Sequence, residues 1–167
     1  MMSKKKFIII TTALTLLLSV SVGGYLVSAK SRSMSEEEIM NIAEDVGGRY
    51  GISPEFLASI AWHESRWKPD AGNGSCKGLM QVSSRWHADR MRKLGVTSLN
   101  DPYGNMLVAA DYLYELFEEY DDPGVVLMKY NGDSKANKFA NGQVGLSTYA
   151  KNVLEKSREL EIAHGKW

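Results

Sequence analysis

The residue of this chain with the clearest chemical potential is Glu64, in the run Ala61-Trp62-His63-Glu64-Ser65. Leu57, Ile60, Ala61 and Glu64 fall at i, i+3, i+4 and i+7, so a helix places the carboxyl within its own apolar stripe. Ser53-Pro54-Glu55 supplies the start of that helix, a capping hydroxyl followed by proline at the first helical position. Lost solvation and the partial negative charge of a helix C-terminus both disfavour the carboxylate, which predicts a raised pKa. A carboxylic acid that keeps its proton near neutral pH is what acid-catalysed glycoside cleavage requires. A structural Glu satisfied by an arginine or a backbone group fits the same pattern, and this helix alone does not decide between them.

Other chemistries fit less well. His63-Glu64 does not extend to a zinc-protease helix, because His-Glu-x-x-His needs a second imidazole where this chain has Trp67. His87 and His164 stand at no ligand spacing from His63, so no metal site is expected, and nothing in the sequence implies a cofactor. Cys76, the single cysteine, reads as a loop residue among Gly74, Ser75 and Gly78, without a base to activate it or a disulfide partner. A glycosidase usually pairs two carboxylates. The acids nearest the segments of interest, Asp70 and Asp133, read more simply as solvated loop residues. Trp62, Trp67, Trp86 and Tyr103 are aromatic candidates for stacking on sugar, with core packing as the competing role. Trp67 is the preferred one, since it lies just past the acid where a loop should open.

The elements that must position these groups read as helices. Ser35 and Glu38 form a capping box before the stripe Ile39, Ile42, Ala43, Val46 and Tyr50, and Gly51 ends that helix. The Glu64 helix follows at once. Residues 68–77 are Pro-, Gly- and Asn-rich without periodicity and predict a surface loop, and a short helix is expected over Arg85–Leu94, ended by Gly95. Asp101-Pro102 opens the longest pattern, with Met106, Ala109, Ala110, Leu113, Leu116, Phe117 and Tyr120 at helical spacing as far as Asp121-Asp122-Pro123. Val125–Tyr130 is a compact apolar segment stopped by Asn131-Gly132, and Asp133–Gly145 is polar and flexible in composition. Tyr149, Val153, Leu154 and Leu160 make a last helix, capped by Ser147 or Thr148. No convincing strand alternation and no internal repeat is present.

The 167 residues suffice for one domain and an appendage. Net charge is zero but unevenly spread: residues 1–34 hold five basic and no acidic side chains, which leaves the remainder at −5. That balance argues against nucleic-acid binding. Lys4-Lys5-Lys6 precedes 23 uncharged residues, Phe7–Ala29, long enough to span a bilayer. Val27-Ser28-Ala29 also offers a cleavage site, so residues 1–29 are either a signal peptide or a membrane anchor. Residues 30–34 then read as a short polar linker and 35–167 as a domain outside the cytoplasm, held together by packing.

With Glu64 set beside Gly78-Leu79-Met80-Gln81-Val82, Asp101-Pro102 with Asn105, Lys129-Tyr130-Asn131-Gly132, and Tyr149 to Val153, the chain resembles the soluble lytic transglycosylase (SLT) domain family of the lysozyme superfamily. The match runs from about Ile52 to Val153. The resemblance implies a mostly α, lysozyme-like fold and cleavage of the bond between N-acetylmuramic acid and N-acetylglucosamine in peptidoglycan, leaving a 1,6-anhydro end. It makes Glu64 the catalytic acid and base. It gives Ser65 a part in holding substrate near the acid, and has Met80 and Gln81 line the glycan groove. Tyr130 is implied to contact the acid, and Asn131 the sugar's N-acetyl region. The implied partner is peptidoglycan, with the membrane through residues 7–29 if they are uncleaved, and the chain is read as a monomer without nucleic-acid partners. A hydrolytic muramidase on the same fold, with Asp70 or Asp133 positioning water, and a non-catalytic wall-binding factor are the alternatives.

Overall fold

The computed structural model describes residues 32–72 and 74–166. The expectation of a signal peptide or anchor over residues 1–29 lies outside them. Among the described residues, no helix is long and apolar enough to cross a membrane.

Seven helices and one minimal hairpin are present among the described residues: α1 (Glu36–Tyr50), α2 (Pro54–Ser65), β1 (Cys76–Lys77), β2 (Val82–Ser83), α3 (Ser84–Leu94), α4 (Pro102–Glu119), α5 (Pro123–Tyr130), α6 (Ala136–Ala140) and α7 (Thr148–Ala163). The starts follow the capping chemistry of the sequence. The Ser35 hydroxyl accepts from Glu38 N at 3.2 Å while the Glu38 carboxylate accepts from Ser35 N at 2.7 Å. Asp101 and Asp122 cap α4 and α5, each with proline at the next position, and Ser147 caps α7. Gly51 ends α1 in the left-handed conformation at φ 66°.

Three features depart from the sequence reading. The α2 helix carries more than one apolar stripe, since every residue from Glu55 to Ala61 is buried. It is the central helix of the fold, packed between α1 and α7, and a helix enclosed on all sides has no polar face to keep. The second departure is the hairpin. Cys76 pairs with Ser83 and Lys77 with Val82 in antiparallel register. These strands are two residues long, too short for alternation to register. Their pairing is imposed by the turn Gly78–Gln81, where Gln81 N donates to Gly78 O at 3.2 Å. The polar stretch after Gly132 also contains a short helix, α6, anchored by buried Ala136.

The ends of the domain meet around a buried acid. Glu55 is 1 % exposed. Its carboxylate accepts from Ser53 Oγ at 3.0 Å, pairs with Lys166 Nζ at 2.7 Å and contacts His164 Nδ1 at 3.1 Å. The other ring nitrogen of His164 lies 3.4 Å from Glu36 Oε1. The tail beyond α7 is thereby clasped to the starts of α1 and α2.

Candidate active site

The end of α2 sets the position of Glu64. The helix stops after Ser65 because Arg66 and Trp67 both take left-handed backbone, at φ 56° and 58°. Such backbone is strained for non-glycine residues and persists only where surrounding packing enforces it. Here Trp67 is the enforcer. Its ring is buried, its Nε1 donates to Ala58 O at 2.9 Å, and it meets Trp62 edge-on at 4.9 Å. Trp67 is therefore a packing residue that turns the chain, and the expectation that it stacks on sugar is corrected. Ser65 is likewise turned inward: its hydroxyl donates to Ala61 O at 3.0 Å and accepts from Lys68 N at 3.2 Å. It completes the helix end and does not line the cleft in front of Glu64.

The hairpin and the segment at the end of α5 close that cleft. Glu64, Met80, Gln81, Tyr130 and Asn131 all line it, together with side chains from β1, β2, α3 and α4. Its volume is about 360 Å³. Asn105, wholly buried at the start of α4, holds the turn in place. It accepts from Met80 N at 2.8 Å and donates to Lys77 O at 2.8 Å and Leu99 O at 2.9 Å. Gly78 is needed for that approach: its φ is +79°, and a Cβ there would lie 2.2 Å from both Asn105 Nδ2 and Leu99 O. Gln81 takes φ 48° and donates its side-chain amide to Gly78 O at 2.9 Å, which fixes the turn tip. Met80 is fully buried in the wall, so it shapes the cleft more than it offers surface.

The carboxyl of Glu64 is half-buried, and burial pushes its pKa up, opposed by the hydroxyl of Tyr149, which donates to Oε1 at 2.6 Å. The resemblance implied this contact for Tyr130. In the structure Tyr149 makes it, while the Tyr130 hydroxyl donates to Met80 O at 2.8 Å. The reason is geometric. Tyr149 sits in the first turn of α7, which packs along α2, whereas Tyr130 ends α5 and reaches across to the hairpin. Burial raises the pKa of both phenols, helped by the Glu64 charge, so both are held as hydrogen-bond donors.

Among the described residues that line the cleft, Glu64 is the only carboxylate. Asp70 and Asp133 are not part of the lining; the Asp133 carboxylate accepts from Lys135 N at 2.8 Å within its own turn. No group of three His, Cys, Asp or Glu side chains among the described residues could hold a metal. The three histidines lie apart: His63 packs edge-on to Tyr149, His87 against Tyr112, and His164 in the clasp at Glu55. Of the aromatic candidates, Trp62 and Tyr103 do not line the cleft and Trp86 does. Cys76, expected in a loop, is strand β1 and part of the cleft wall. Sequence reasoning missed Ser83 and Tyr112, which also line it. Tyr112 stands three residues after Ala109 and four before Leu116, at the edge of the α4 stripe, and helical spacing could have pointed to it.

An acid pushed toward its protonated form, a tyrosine hydroxyl on it and an amide-lined wall opposite form a site for general acid chemistry on a polar ligand. Residues 40–153 match the Transglycosylase SLT domain family. The X polypeptide of Escherichia coli (strain K12) is 32% identical over 108 residues, 58% of this chain and 62% of that protein. The Transglycosylase of Enterobacteria phage PRD1 is 28% identical over 108 residues, 64% of this chain and 38% of that protein. The chain thus spans less than two thirds of these relatives. An inactive mutant of the lytic transglycosylase Slt from Pseudomonas aeruginosa superposes with a TM-score of 0.64 at 19% identity, over 79% of this chain and 25% of the other. The 70 kDa soluble lytic transglycosylase of Escherichia coli gives 0.60 at 20%, over 73% and 24%. At such identities these two structures establish a shared, mostly helical fold. With the family match covering most of the domain, the chain belongs to the Transglycosylase SLT domain family.

Proposed function

We propose that the protein is a peptidoglycan lytic transglycosylase with Glu64 as its general acid and base. Glu64 protonates the glycosidic oxygen as the bond to C1 of N-acetylmuramic acid breaks, and the departing sugar leaves with a free hydroxyl. The resulting carboxylate then takes the proton of the muramoyl O6 hydroxyl as that oxygen bonds C1, which regenerates the acid and closes a 1,6-anhydro ring. No water is consumed. The substrate's acetamido group stabilises positive charge at C1, a task that a second carboxylate performs in most glycosidases.

The observation that carries this reading is the Glu64 carboxyl, lifted toward its neutral form by burial and facing a cleft that no other acid lines among the described residues. Tyr149 orients that carboxyl through its hydrogen bond. Gln81, Asn131 and the Met80 wall hold the glycan, and Tyr130 acts by fixing the Met80 carbonyl. Ser65 serves by ending the helix at the right residue. Peptidoglycan lies outside the cell membrane, which accords with residues 1–29 acting as a signal peptide or anchor.

Mass spectrometry of muropeptides released from purified wall tests the reading. The wild-type protein should release anhydro-muropeptides, and Glu64→Gln should lose about 10²- to 10⁴-fold in turnover while still binding wall. Full activity in Glu64→Gln refutes the assignment of the acid. Products heavier by one water would instead make the enzyme a hydrolytic muramidase.

A further inference from the structure

His63 stands one residue before the acid in the last turn of α2, yet it does not line the cleft. Neighbouring positions on a helix diverge by about 100°, so His63 faces α7 while Glu64 faces the cleft. The half-buried imidazole meets the Tyr149 ring edge-on, with centres 6.4 Å apart and planes at 74°. It also donates a hydrogen bond to the backbone of Asn152, further along α7. Burial, then the charges of Arg66 on the end of α2 and Lys156 on α7, push the His63 pKa down. The ring is therefore neutral at neutral pH and has a single N–H to give. With that N–H on Asn152, the orientation of the imidazole is set, and with it the surface that Tyr149 rests on.

Tyr149 also stays out of the cleft lining, and its hydroxyl donates to Glu64 Oε1 at 2.6 Å. A phenol turns about two side-chain bonds, so a hydrogen bond at its tip keeps its length and angle only if the ring itself is held. We propose that His63 is a positioning residue, which holds the Tyr149 ring so that its hydroxyl stays on the Glu64 carboxyl. It acts from behind the acid through one intermediary and touches no substrate. Groups that must be placed to within a fraction of an ångström need this kind of support from packed, hydrogen-bonded neighbours. The effect on turnover rests on the reading of Glu64 as the acid, whereas the effect on the carboxyl itself does not.

The test reads that carboxyl directly. Full-length protein carrying isotope-labelled glutamate is titrated by NMR, with the Glu64 signal assigned as the one lost in Glu64→Gln. His63→Leu fills the site without an aromatic edge or an N–H, so the carboxyl keeps its burial. It should raise the Glu64 midpoint by about half a pH unit, the direction expected when the bond holding that midpoint down is loosened. On wall glycan kcat should fall about tenfold with KM little changed, and the alkaline limb of the profile should move upward. His63→Phe, which keeps a ring against Tyr149, should recover most of both effects. In a Tyr149→Phe background His63→Leu should move the midpoint no further. A merely structural role would lower the thermal midpoint and leave the titration where it was. An unmoved or lowered Glu64 midpoint in His63→Leu overturns the proposal, as does a His63→Phe protein no better than His63→Leu or a further full shift in the double variant. His63→Ala carries the same expectation should His63→Leu fail to fold. The titration needs no turnover, so an active Glu64→Gln refutes the acid and leaves the titration standing. An unmoved midpoint beside an inactive Glu64→Gln refutes the role of His63 alone.

Discussion

Replacing Glu55 by glutamine tests how the domain is clasped, because the whole effect must pass through one buried carboxylate. Burial alone would raise its pKa. The hydrogen bonds from Lys166 and His164 outweigh that, helped by its own backbone N–H and by Ser53, and bring it from 4.5 down to about 2. By linkage a depression of that size corresponds to about 3 kcal/mol of stability. Lys166 is half exposed, and solvent screening at that end of the pair lowers the expected loss to about 2 kcal/mol. The folded-state value lies below the unfolded one. The contribution is therefore complete above pH 4.5 and fades as the pH falls toward 2. Urea unfolding of wild type and Glu55→Gln at neutral pH should show a lower midpoint with an unchanged m-value. The gap should narrow steadily through the acid range. Equal stability at neutral pH, or a gap that persists undiminished near pH 2, would refute the reasoning.

Two further expectations concern the cleft. Tyr149→Phe removes the hydrogen bond that holds the Glu64 pKa down, so the carboxyl should stay protonated to higher pH. The alkaline limb of the kcat/KM profile on wall glycan should then move upward, and a profile with unmoved limbs counts against the contact. Gly78→Ala puts a Cβ against Asn105 and Leu99 O at a positive φ, which should cost about 2–4 kcal/mol by thermal unfolding and collapse glycan affinity. A fully stable Gly78→Ala protein would mean that the turn can relax without Asn105.

Much of the helical framework was legible because its signals are local. A capping box at Ser35, proline after Ser53, Asp101 and Asp122, and glycine at positions 51 and 95 mark ends whose geometry is decided by the nearest few residues. Glu64 was legible for a related reason, since a carboxyl within a run of apolar helical positions is conspicuous. What stayed hidden depended on groups far apart in sequence. Glu55 read as an ordinary helix-start acid, and only the return of the chain 109 residues later brings His164 onto it. Trp67 read as an open aromatic, but the bond to Ala58 O turns it inward.

The residues by themselves determined that this is a helical domain with an acid on an apolar helix, and their order carried the family resemblance. The tertiary structure alone decided which tyrosine serves the acid. Tyr130 and Tyr149 are both partly buried phenols near one carboxylate, and the packing of α7 along α2 gives the bond to Tyr149. It also decided that, among the described residues, Glu64 is the one carboxyl lining the cleft. Partnership and enclosure are relations between distant segments, and no window of sequence contains them.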